Sequence, residues 1–318
     1  MTSNVLTPSG RSPRLAIAYV VMALTPLFFS TNIIFGRVTV PEVAPFTLAF
    51  LRWSFCALIL LPFVFKARRE VIDVVRREPL LLLLLGFLGM WISGAGVYYS
   101  LQHTTATNGT LIYTTSPLMI ILLERVFFDR TIRWRELGGM AVAFVGVAAI
   151  LFQGSFNRFL SGSLNVGDVG FVLAAVSWAG YSILFRSGRL SKLPIMSLFG
   201  LVCAAGALLL LPFALFEFVS GAVMPVTGSA WQGIAGIVVF SSLLAFSGFQ
   251  YGLRTLGASL TGIFMYLLPP YGVLLAVLFL GEKLQAFHVA GILLVLGGVS
   301  LATFPAGKRS KKIGVPES

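Results

Sequence analysis

The sequence predicts an all-α integral membrane protein: ten transmembrane helices arranged as two inverted five-helix repeats (5+5), with both termini cytoplasmic. Three observations predict it. The 318 residues are 57% apolar and only 11% charged, where a soluble domain carries roughly 25% charged residues. Residues 96–147 fall without a gap on 248–299, with matches that include Gly96/Gly248, Tyr99/Tyr251, Ala106/Ala258, Pro117/Pro269, Gly139/Gly291 and Gly146/Gly298. Finally, the basic residues collect in alternate loops.

Taken in order, the apolar runs are 14–36, 44–65, 80–101, 105–126, 134–153, 166–186, 194–217, 230–252, 256–279 and 285–304. Each is long enough to cross a ~30 Å hydrocarbon core as a helix. Barrel strands are shorter, about 9–11 residues, and alternate in polarity. A segment 1–13 precedes the first run, which lacks a small-x-small cleavage site and reads as a retained helix. The first repeat covers 14–153. A linker over 154–165, rich in Gly, Ser and Asn, leads to the second repeat, 166–304, and a basic tail occupies 305–318.

With the N-terminus inside, 19 of the 23 Lys and Arg lie in cytoplasmic segments, among them Lys66, Arg68, Arg69, Arg76, Arg77, Arg125, Arg133, Arg135 and Arg254. The opposite side has Arg37, Arg158 and Lys283. Loop basicity sets orientation, so the net charge of +12 calls for a membrane and not for nucleic acid. Cys56 and Cys203 lie within spans two and seven without disulfide or metal spacing. No metal and no cofactor is expected.

Each half holds an odd number of spans, so the second must enter the membrane from the other side. Inverted repeats place a small-molecule site near the midplane between the halves and exchange access by rocking. The duplication supplies both halves in one chain, so a monomer suffices. Gly139 with Gly146, and Gly291 with Gly298, share one helical face and read as close-packing positions.

Several polar and aromatic groups sit inside spans, where a lipid-facing position is costly. They are Phe28 and Asn32 in span one; Tyr99 and His103 in span three; Asn108 in span four; Trp178 and Tyr181 in span six; Ser247, Gln250 and Tyr251 in span eight. A zwitterion with an aromatic side chain would want neutral hydrogen-bonding groups and ring faces, and these residues offer both. Each either faces a cavity or bonds a neighbouring helix. His103, nearest the external end, suits a gate or an interface. Pro26, Pro117, Pro269 and Pro270 remove backbone donors and are expected to kink helices, as hinges or gates. The repeats diverge at Tyr98/Gln250, Asn108/Leu260 and His103/Thr255, and divergence is expected where the site is made.

Asp168, Glu124 and Glu217 lie near span ends, and no carboxylate is deep, which argues against carboxylate-driven proton coupling. Arg52 is the one deep charge; helix-end carbonyls or Glu42 are its expected partners. Enzyme chemistry lacks its parts: two histidines, no deep carboxylate pair and no metal motif. A channel would more naturally come from symmetric subunits around a pore.

The chain resembles the drug/metabolite transporter superfamily, and within it the EamA family. Trp178, Pro45 followed by Arg52, Tyr99-Ser-Leu with Ala106 leading to Pro117, Ala258 leading to Pro269, and Gly281-Glu282-Lys283 with Gly291 carry the likeness. Phe128-Asp129-Arg130 and Phe29 depart from the pattern. The resemblance implies an inner-membrane carrier, similar to bacterial exporters of aromatic amino acids. A second reading within it is an antiporter for a nucleotide-linked or phosphorylated sugar, whose phosphates would want several cavity-facing cations.

Overall fold

The computed structural model describes residues 13–128, 131–155, 165–185, 188–190, 192–256, 264–265 and 267–303. The segment 1–12, linker residues 156–164, the Asp129–Arg130 pair, Ala258 and the tail from 304 lie outside the described residues, as do the side chains of Pro117 and Arg254. Every regular element among the described residues is helical.

Among the described residues, seven helices are long and apolar enough to cross a membrane. They include α1 (Pro13–Thr39), α2 (Pro45–Lys66), α4 (Pro79–Leu101), α8 (Val166–Phe185), α9 (Ile195–Val219) and α10 (Gly228–Gly252). The seventh, Ala106–Phe127, is broken at Thr114 and Thr115 into α5 (Ala106–Tyr113) and α6 (Ser116–Phe128). Between α2 and α4, the basic loop coils into α3 (Arg68–Arg77), which buries Val71 and Val74. Three further helices are described: α7 (Trp134–Leu151), α11 (Leu268–Leu280) and α12 (Ala286–Thr303). Leu58, Ile59, Leu208, Phe216 and Leu278 are exposed. Large exposed apolar surface of this kind is foreign to soluble monomers and suits lipid.

The two halves exchange packing partners. The second helix of each half packs on the other, α2 on α9, and the fifth helices, α7 and α12, do the same. The first helix of each half crosses over: α1 lies on α10 and α11, while α8 lies on α4, α5 and α6. This is the pattern of a pseudo-two-fold relation. The glycine pairs make the α7–α12 contact possible. A Cβ on Gly146 would stand 2.8 Å from Leu294 Cβ, and one on Gly298 would stand 2.5 Å from the Gly139 carbonyl oxygen.

The symmetry extends to irregularities. A π-helical stretch occupies Gly86–Gly96 in α4, and another occupies Ile237–Leu244 in α10. Offset by the repeat length, they fall on the same part of each half. Pro117 lies in the first turn of α6, and Pro269 and Pro270 lie in that of α11, where a missing N–H costs nothing. These three therefore start helices, and at Pro117 the restart interrupts the span Ala106–Phe127. Pro26, by contrast, stands inside continuous α1.

Candidate functional site

One end of the bundle carries the loops at 40–44, 102–105, 220–227 and 281–285. It is fastened across the halves by acidic side chains. Glu217, at the end of α9, accepts the amides of Phe46 and Thr47 at 3.1 and 2.7 Å and the Thr47 hydroxyl at 2.8 Å. Glu282, after α11, accepts the amides of Ala106 and Thr107 at 2.8 and 2.9 Å. Each carboxylate meets orphan donors at a helix N-terminus, where the helix dipole also favours negative charge. Glu42 accepts from Thr227, so it is not the partner of Arg52.

Beside Glu282 runs a buried relay. The Gln285 amide donates to His288 Nδ1 at 3.1 Å, so the neutral ring carries its proton on Nε2, which meets Asn108 Oδ1 at 3.0 Å. Asn108 Nδ2 then reaches Asp168 Oδ1 at 3.4 Å, and Thr104 donates to the same oxygen. Asp168 is 1% exposed. Thus Asn108 joins α5 to α8 and α12 near the capped end.

Deeper in the bundle lies Arg52, 5% exposed, in the second turn of α2. Its Nε donates to Ser242 Oγ at 3.0 Å, and its Nη1 donates to Asn32 Oδ1 at 2.6 Å and to the Tyr98 hydroxyl at 2.7 Å. Tyr98 in turn donates to Asn32 Oδ1 at 2.9 Å. The guanidinium lies 4.1 Å from the Trp53 ring centroid, within cation–π range. Helices α1, α2 and α4 of one half and α10 of the other meet here. Ser242 belongs to the π-helical stretch and donates back to the Ile237 carbonyl at 3.1 Å.

An aromatic series runs along α8. Trp178 stacks on Tyr181 with centroids 5.0 Å apart and approaches Tyr113 at 6.3 Å. Tyr181 is buried, packed so closely that a Cβ on Gly89 would stand 2.7 Å from its ring. Phe28 faces Phe240 across the halves at 6.1 Å. Ser30, which no sequence pattern singles out, ties the Pro26 carbonyl of α1 to the Leu268 carbonyl at the start of α11.

Of the sequence-expected residues, Asn32 enters the Arg52 network, Trp178 and Tyr181 form the ring stack, and Asn108 sits in the capped-end relay. Tyr99, 46% exposed, lies against His103 at 5.1 Å; its neighbour Tyr98, fully buried, takes the place in the network. Gln250 is buried, whereas Ser247 and Tyr251 are exposed; among the described residues none of the three bonds the network. Arg52 bonds no helix-end carbonyl and no carboxylate among the described residues. Sequence reading missed Ser242 and Tyr98 as its partners, although the Tyr98/Gln250 mismatch between repeats pointed at one of them.

The EamA-like transporter family matches this chain over residues 16–152 and 165–304. An uncharacterized transporter of Archaeoglobus fulgidus is 30% identical over 90% of this chain and 96% of its own length. A probable terminal-alkyne amino-acid exporter of Streptantibioticus cattleyicolor is 24% identical over 76% and 78%. A solved crystal structure, 21% identical, covers 91% of this chain and 97% of its own with a TM-score of 0.60, a likeness of fold.

Proposed function

The chain belongs to the EamA-like transporter family, and on that premise we propose that it exports amino acids, aromatic and related apolar ones first, by alternating access. It is a multi-pass membrane protein with a small-molecule substrate. In the proposed arrangement all ten spans cross the bacterial inner membrane, and the second half is inverted relative to the first. The basic end, with Lys66, Arg68, Arg76, Arg125 and Arg133, faces the cytoplasm under the positive-inside rule. The capped end is then external and closed.

The observation that carries this reading is the exchange of packing partners. With α1 resting on the second half and α8 on the first, the proposed rocking moves crossed units, which would open one end while closing the other. The amino-acid assignment draws on the named exporter among the relatives and on the chemistry available. Trp178, Tyr181, Tyr113 and Phe28 supply ring faces, and the polar groups near them are neutral apart from one arginine. A phosphorylated sugar would want several cations. Among the described spans Arg52 is the single buried one, which disfavours that substrate.

Proteoliposome counterflow with the twenty proteinogenic amino acids and a set of nucleotide sugars tests the reading. Saturable exchange of aromatic amino acids without a pH gradient is expected. Exchange confined to nucleotide sugars, or absent for every amino acid, would overturn it.

A further inference from the structure

We infer that Arg52, with Asn32, forms the subsite for the carboxylate of the transported molecule, an inference that rests on the amino-acid reading above. Its basis is the set of hydrogens left over in the cluster. Arginine has five donors. Three go to Ser242, Asn32 and Tyr98, and the two on Nη2 have no partner among the described residues. Asn32 Oδ1 accepts twice, from Arg52 and from Tyr98, while the two hydrogens on its Nδ2 likewise have none. The indole N–H of Trp53, whose ring the guanidinium covers, is buried and unpartnered. The cluster therefore holds a surplus of donors and one full positive charge, with no carboxylate of the described residues bonded to it.

A charge taken out of water without a counterion is strongly unfavourable. Neutral partners and a ring face offset part of that cost only. A purely structural tie between α1, α2, α4 and α10 would be served by an apolar or neutral residue without the penalty. A monovalent anion with two acceptor oxygens removes it: Nη2 of Arg52 and Nδ2 of Asn32 supply paired donors of the kind carboxylates take. One positive charge suits one carboxylate and falls short of a phosphate dianion. The position also suits a carrier, because the donors come from one half and Ser242 from the other. A bound carboxylate that draws Arg52 away from Ser242 would loosen the halves at the depth where access must change.

The test uses the full chain in proteoliposomes preloaded with L-phenylalanine, with L-phenylalanine, L-phenylalaninamide and 3-phenylpropionate as external competitors of labelled L-phenylalanine. In the wild type the amide should compete about tenfold or more weakly than phenylalanine, since a site built for one hydrogen-bonding group rejects the analogue lacking it, while 3-phenylpropionate still competes. Arg52→Gln should weaken phenylalanine to the level of the amide, with Arg52→Lys between the two. An amide that competes within about twofold of phenylalanine in the wild type overturns the inference without recourse to any variant, so a variant that fails to fold does not shield it. Discrimination retained by a folded Arg52→Gln protein overturns it as well. If no amino acid exchanges, the functional reading falls by itself. Thermal stabilisation of the detergent-solubilised wild type by 3-phenylpropionate but not by 3-phenylpropanamide, lost in Arg52→Gln, then still supports the subsite; its absence overturns the subsite too.

Discussion

Glu282 and Ala106 meet across the boundary between the halves, carboxylate to backbone amide, at 2.8 Å. The same side chain holds Thr107, and Glu217 repeats the arrangement on Phe46 and Thr47. Two helices of the first repeat are thus capped by side chains of the second. A cap of this kind contributes about 0.5–2 kcal/mol, so the pair ties the two halves together at this end.

Neutralising both caps should let the end open. With Glu217→Gln and Glu282→Gln combined, a cysteine placed at buried Thr104 should react with a membrane-impermeant maleimide about fivefold or more faster, given the cap energies above. Unchanged labelling would show that the caps do not govern closure.

The aromatic stack makes a separate prediction. Trp178→Ala removes the ring that lies on Tyr181 and should lower exchange of aromatic amino acids about tenfold, in line with the loss of a ring contact and its buried area. Trp178→Phe should recover most of it. Counterflow of phenylalanine against alanine reads the effect, which should be confined to the aromatic substrate.

Asn108 is the middle of a relay, so its loss strands both neighbours. Asn108→Leu leaves His288 Nε2 without its acceptor and removes a donor from buried Asp168. Each unsatisfied buried group costs about 1–3 kcal/mol. A clear fall in thermal midpoint is expected in detergent, larger than that for Ser247→Ala at an exposed position. Equal midpoints would mean that the relay contributes nothing to closure or stability.

The glycine seam gives an internally controlled pair. A Cβ at Gly291 would stand 2.6 Å from Ile150 Cγ1, whereas one at Gly138 meets nothing within 4 Å. Gly291→Val should therefore reduce the monodisperse fraction on size exclusion. Gly138→Ala should leave it intact and add up to about 1 kcal/mol through helix propensity.

Much of the fold is legible from residues alone, for identifiable reasons. Apolar length marks a span because the bilayer fixes the length required. The Gly139/Gly291 and Gly146/Gly298 matches mark a backbone contact, since a Cβ at Gly146, Gly291 or Gly298 would crowd the facing helix, and α7 and α12 meet along them. The features that escape depend on helical phase and on distance along the chain. Each π-turn adds a residue and rotates the rest of the helix by about 100°. The stretch Gly86–Gly96 ends just before Tyr98, so the phase of the span is reset where the two neighbouring tyrosines stand, and the Tyr99/Tyr251 match between repeats favours the wrong one for the network. Arg52 finds Asn32, Tyr98 and Ser242 at separations of 20, 46 and 190 residues, which no local pattern reveals. The caps by Glu217 and Glu282 escape likewise, because acidic residues at span ends look solvated until the opposing helix start is placed.

The crossed packing of α1 and α8 also governs how the protein is made. When the ribosome has delivered residues 1–155, α1 has not yet met α10 or α11, and α7 has no α12 to close its glycine seam. The first half therefore waits in the bilayer with its partner faces covered only by lipid or by the insertion machinery. Assembly can begin as α8, α9 and α10 emerge onto the first half, but it is completed only when α12 arrives to close the seam with α7.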